Sequence, residues 1–190
     1  NADTVTGIVL QSDTPDTGSF ECSDDLVNQL QSNIQWGQRG NFLEVPTDCP
    51  QRDERLGWTG DAQVFVRTAC FNMDVAGFFA KWARDLEDSQ GEDGRIPSVA
   101  PNVGYANPDG GPAWAEANVI CPWTLYQRFG DRRILEQHYD SKTRFVGYLE
   151  QTSRDHIRCY DGYEGWHGYG DWLAIDAPDT APDKGPTPKT

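Results

Sequence analysis

Between Val45 and Asp61 the chain reads VPTDCPQRDERLGWTGD, and four carboxylates, Asp48, Asp53, Glu54 and Asp61, fall within fourteen residues. Arg52 and Arg55 are interleaved with them, and Trp58 stands among Pro46, Pro50, Gly57 and Gly60. The prolines fix φ and remove backbone donors, while the glycines permit tight turns, so the stretch is expected to be an ordered loop that enters a helix near Asp61. Carboxylates and guanidinium forks bond hydroxyl groups, an indole face stacks on C–H groups, and a carboxyl can donate a proton; together they suit a sugar.

Plainer readings are open for the same residues. Asp48 and Asp61 could cap helices, and Arg52, Asp53, Glu54 and Arg55 could form a solvated ion-pair surface worth about 0–1 kcal/mol per pair. A calcium loop is poorly matched, because the alternating oxygen ligands and distal Glu of an EF-hand are missing. Cys49 has no histidine near it in sequence to act as its base, so a nucleophilic role is not expected.

The run DCPQRDERLGWTGD resembles the catalytic signature of bacterial α-L-rhamnosidases, glycoside hydrolase family 78. Three further segments extend the resemblance over roughly residues 19–175: NFLEVPT, PAWAEANVICPWTLYQRFGD at 112–131 and GYGDWLA at 168–174. The resemblance implies an all-α fold, part of an (α/α)6 toroid of antiparallel helix pairs, that removes terminal α-L-rhamnose with inversion. It implies Glu54 as general acid and Asp48, Arg52, Trp58 and Asp61 as substrate-binding residues, and it draws Trp114 and Trp172 toward the pocket wall. The general base would be a Glu from a later part of the catalytic domain, beyond residue 190. No metal or organic cofactor is implied, although a structural calcium ion is compatible with the chemistry. The text departs from the family's usual Trp-Gly-Asp order at WAEA, so no role carries over to Glu116. Two rivals stand beside this reading: a non-catalytic carbohydrate-binding module, and an (α/α)6 glycosidase for another sugar.

Composition narrows the partners. A formal charge of −14 repels nucleic acid and anionic membrane surfaces alike. No apolar run reaches the roughly 18 residues of a membrane span. A neutral ligand, a rhamnose-containing carbohydrate, fits better; localisation and oligomeric state are not legible. The five cysteines are widely spaced and unpaired in pattern, which argues against a zinc site or disulfide framework, and Cys70 and Cys121 read as buried thiols.

The elements that must position the signature follow from periodicity. Residues 4–10 alternate as a short strand, and residues 1–20 are expected to be strand and linker from a preceding β domain. Residues 21–190 are expected to be the N-terminal half of the catalytic domain, truncated at its end. Asp24 opens a helix with Leu26, Leu30, Ile34 and Trp36 as its apolar stripe. A hairpin with a tight joint near Met73 follows, with Trp82 in its core. A helix from about Ala113 to Phe129, with Trp123 in its core, breaks at Gly130, and the chain resumes behind Asp131 to about Gln151. Asp171 is expected to cap a sixth helix, while the GDW match leaves a sugar contact open for it. If successive helices are antiparallel, the long connections 39–60, 89–112 and 153–170 all fall on one end. Function concentrates in long ordered loops on a rigid scaffold, so that end is the expected active face. His167 and Tyr169, in the third loop, are read either as ligand contacts or as loop filling.

Overall fold

The computed structural model describes residues 4–158, 163–170 and 172. Six helices dominate: α1 (Asp25–Asn41), α2 (Thr59–Asn72), α3 (Ala76–Asp88), α4 (Ala117–Phe129), α5 (Arg133–Gln137) and α6 (Tyr139–Thr152). Two short antiparallel strands, β1 (Phe42–Leu43) and β2 (Val45–Pro46), close the turn after α1.

Local chemistry sets the boundaries. The Asp24 side chain accepts from the N–H groups of Leu26 and Val27, satisfying donors that the first turn of α1 leaves open. Gly130, left-handed at φ 70°, ends α4. Asp131 then caps the next turn by accepting from the Arg133 N–H at 3.0 Å. The return helix is not continuous, because a break at His138 separates α5 from α6. Nor does α4 begin at Ala113: residues 112–116 are turns, with Ala113 at φ 68°, and regular helix starts at Ala117. The sixth helix expected from Asp171 lies outside the described residues, apart from Trp172.

The core sits where α2, α3 and α4 meet, built on Val66, Phe79, Trp82, Leu86, Cys121 and Leu125. Each large apolar side chain buried there contributes about 1.5–3 kcal/mol. Trp82 is fully enclosed and donates its indole N–H to the Ala100 carbonyl at 2.9 Å. Trp123, expected beside it, is 47% exposed instead, because α4 turns that face to solvent. Cys121 is buried as expected, whereas Cys70 is only partly so.

Two other elements differ from what periodicity predicts. Residues 5–10 form no strand and pair with no edge among the described residues, and Val5 and Ile8 are each 82% exposed. From Ser12 onward the connector is docked. Its backbone bonds Phe42, Asn72 and Asp74, and Thr14 is buried against Met73. The apolar stripe of α1 also points the other way from a core-seeking helix, with Leu26 81% and Leu30 56% exposed. Its inward face is made of amides. Gln38 donates to the Ala69 carbonyl and accepts from Asn72, which in turn accepts from Gln31.

The placement of the long loops follows the parity argument. Met73, Asp74 and Val75 make the tight α2–α3 joint at one end. At the other end Thr59 N–H donates to Ser98 O and Ala100 N–H to Gly57 O, both at 2.9 Å, so the first and second loops share a β-bridge at Trp58 and Val99. A Cβ on Gly57 would meet the Ala100 oxygen at 2.1 Å, so this seam requires glycine. The third loop joins through Tyr169, whose hydroxyl donates to Ser98 Oγ at 3.0 Å.

Candidate active site

The signature loop is closed on itself before it meets any other element. Asp48 N–H donates to Leu56 O, and Asp48 Oδ1 accepts the Leu56 N–H at 3.0 Å, so one residue clamps both ends of the turn between them. The helix-capping reading of Asp48 therefore fails, its carboxylate being spent on the loop. Its other oxygen receives Arg52 at 3.2 Å, and Arg52 also holds Glu54 at 3.1 Å. One guanidinium thus ties two carboxylates together. Asp53 and Arg55 pair with each other in the open at 3.3 Å, as the solvated-surface reading had it.

Asp61 stands in the first turn of α2, which has no side-chain cap, so its negative charge lies at the positive end of the helix dipole. Its carboxyl lies on the cavity wall and keeps access to solvent, while the side facing the protein is partly desolvated. That partial desolvation raises its pKa, and the Asp48 and Glu54 charges push the same way, while the helix-start N–H and Arg52 oppose.

A cavity of about 630 Å³ opens between α1, the start of α2 and the loops. Asp48, Asp61, Trp114 and Trp172 line it. Arg52 and Glu54 are not on its wall and reach it through Asp48. Trp58 stands behind, edge to face with Tyr169 at 5.6 Å, and its indole N–H is buried without an acceptor. Trp114 is pressed on the first turn of α2, where only a residue without Cβ fits: a Cβ on Gly60 would lie 2.6–2.9 Å from the indole.

Asp48 and Glu54 oxygens and the buried Cys49 sulfur lie within 4.8 Å of one another, the one such group of possible metal ligands among the described residues. Calcium takes six to eight oxygens, so a set that includes a thiol and is already neutralised by Arg52 suits it poorly.

Sequence reasoning missed a second cluster. Asp109, in the second of the long loops, is buried and accepts from Tyr148 OH at 2.6 Å and from the buried Arg158. Glu116 lies close by. Burial raises its pKa, opposed by its own N–H, that of Ala113 and the Arg158 charge, while Asp109 adds to the rise. Its Oε2 is buried with no hydrogen-bond partner. Of the two residues left open in the third loop, His167 turns inward to the Tyr163 carbonyl at 2.8 Å. Tyr169 touches Trp58, Trp114, Trp166 and Trp172. Asp171 lies outside the described residues.

Comparison with known proteins agrees with this architecture. The bacterial α-L-rhamnosidase 6 hairpin glycosidase domain matches residues 15–190. An α-L-rhamnosidase of Streptomyces avermitilis is 48% identical over 171 residues, covering 90% of this chain and 16% of that protein. One from Formosa agariphila is 47% identical over 162 residues, covering 85% and 17%. Among solved structures, the Streptomyces avermitilis enzyme complexed with L-rhamnose superposes with a TM-score of 0.79 over 86% of this chain and 15% of its own, at 48% identity. The Dictyoglumus thermophilum α-L-rhamnosidase does so at 0.80 and 41% identity, over 88% and 18%. The chain spans about one sixth of the length of these relatives. Its helices are those of part of the six-hairpin toroid, and the chain belongs to the bacterial α-L-rhamnosidase 6 hairpin glycosidase domain family.

Proposed function

We propose that this chain supplies the acid-bearing part of an α-L-rhamnosidase site, one that removes terminal α-L-rhamnose from glycosides or polysaccharides with inversion. The observation that carries the reading is the coupled set Asp48–Arg52–Glu54, whose Asp48 lines a Trp-walled cavity together with Asp61. A relative of the same family was solved with L-rhamnose, which supports the choice of sugar. The relatives named above are all α-L-rhamnosidases, which speaks against a purely binding module and against a toroid specific for another sugar.

In this reading Glu54 gives its proton to the glycosidic oxygen as the bond to the anomeric carbon breaks. Asp48, Arg52 and Asp61 hold sugar hydroxyls, and Trp58, Trp114 and Trp172 shape the apolar side. Inversion also asks for a carboxylate about 6.5–9.5 Å from the acid that activates water on the opposite face. The resemblance assigns that base to a Glu of a later segment of the domain. The chemistry needs no organic cofactor.

The raised pKa of Asp61 favours a second reading, in which Asp61 is the donor and Glu54 a ligand. One comparison separates them. In the complete enzyme Glu54→Gln is expected to lower kcat by about 10²–10⁴-fold on rhamnosides with poor leaving groups, and far less on activated aryl rhamnosides. Equal losses on both substrates for Glu54→Gln, with the leaving-group dependence appearing in Asp61→Asn, would move the acid to Asp61.

A further inference from the structure

Tyr169 lies where three loops converge, and no other side chain in the described residues touches so many of the pocket's aromatic walls. Its ring centroid is 4.8 Å from Trp114, 5.6 Å from Trp58, 5.2 Å from Trp166 and 5.8 Å from Trp172. Three of the four contacts are edge-to-face, with interplanar angles of 76–87°, the arrangement in which an aromatic quadrupole is attractive. The hydroxyl adds a fixed direction, bonding Ser98 Oγ at 3.0 Å, and Ser98 is fully buried beneath the bridge that joins the first two loops. Behind the ring the second and third loops approach closely: a Cβ on Gly111, itself at φ 67°, would lie 2.6 Å from Gly168 Cα. The tyrosine is thus held on its polar end by the scaffold and on its faces and edges by four indoles, Trp166 and Trp172 from its own segment and Trp58 and Trp114 from two others.

That arrangement bears on the carboxylates through covalent neighbours. Trp58 is the residue at which α2 begins, two positions before the glycine on which Trp114 rests and three before Asp61. Releasing the Trp58 or Trp114 ring would alter the width of the cavity without touching a charged group. We infer that Tyr169 is the positioning residue of the sugar pocket, fixing Trp58 and Trp114 against the acidic loop while touching none of the carboxylates itself. The inference rests on the reading that this face binds a sugar.

The test uses the complete enzyme, L-rhamnose as ligand and an activated aryl α-L-rhamnoside as substrate. Tyr169→Leu removes the ring contacts and is expected to raise the L-rhamnose Kd and the KM together by about tenfold, with kcat changed less. Tyr169→Phe keeps the rings, loses only the Ser98 bond, and is expected to recover most of the affinity. A residue that merely supports folding would lower Tm and leave Kd unchanged in the folded fraction, so parental Kd and KM in Tyr169→Leu overturn the proposal. If Tyr169→Leu does not fold, Tyr169→Phe and Ser98→Ala carry the test: each is expected to raise Kd about twofold, and the double variant no more than either alone. Parental values in all three overturn it. Should the parent hydrolyse no rhamnoside and bind no L-rhamnose, the functional reading fails, and the aromatic contacts are judged by near-UV circular dichroism, where identical parental and Tyr169→Leu spectra would overturn them.

Discussion

Arg52 and Arg158 each bind carboxylate oxygen within the same hundred or so residues of chain, yet their surroundings are opposite. The Arg52 side chain is 58% exposed and shares itself between Asp48 and Glu54, whereas Arg158 is 5% exposed and is committed to Asp109, with the Tyr148 hydroxyl completing the group. In water an ion pair is cheap to make and cheap to break, so Arg52 can release either carboxylate at little cost. In a dry interior, losing one partner strands a charge, so the Asp109 group can only hold. Residue types alone do not separate an exchangeable ion-pair cluster from a fixed one; solvent does.

The largest effect expected from this contrast is on folding. Asp109→Asn removes the carboxylate that the buried Arg158 guanidinium bonds, and urea unfolding should show a loss of about 3–5 kcal/mol. A loss below about 1 kcal/mol would mean that the second cluster is as wet as the first, and the comparison would collapse. Arg52→Met is the mirror experiment. Its stability cost should stay within about 0–1 kcal/mol, while kcat/KM on rhamnosides falls by about tenfold or more, because the two carboxylates lose the group that orients them. Unchanged kinetics with a large drop in stability would reverse the roles of the two arginines.

The smallest effect concerns Asp61, whose folded-state pKa lies above its ordinary value of 3.8. Below that value both the folded and unfolded states carry the proton and nothing is gained or lost. As pH rises through the folded value, the native state must ionise a carboxyl in an unfavourable place, so stability is lost. Asp61→Asn removes that burden. Its urea midpoint should exceed the parent's slightly near neutral pH, and the difference should close as pH falls toward 4. A gap that widens in acid would give the shift the opposite sign.

Much of this was legible in the chain, for reasons that differ by element. Asp24 and Gly130 mark helix ends through bonds and backbone angles that are local, and local features survive in sequence. The face carrying the site was also readable, because loop length and helix parity decide it without knowledge of packing. The outward turn of α1 was not readable: Leu26 and Leu30 repeat at helical spacing, and periodicity cannot say which face meets the neighbour. The inward face is held by Gln38 and Asn72, thirty-four residues apart, with the Asn72 amide donating to the Gln38 side-chain oxygen. The same holds for Asp109 and Arg158, forty-nine residues apart, and for Tyr169, whose partners come from three loops. The acidic signature was visible because its members share one stretch of chain, and the residues that brace it were hidden because they do not.

The bare α-carbon of Gly60 has one more consequence. Trp114 rests in the space a methyl group would fill, one residue before Asp61 on the same turn of helix. The gap between the aromatic wall and that acid is therefore gauged by a missing atom, like a spacer left out of an assembly. A single added carbon at this position would re-cut the lock while every tooth of the chemistry stayed in place.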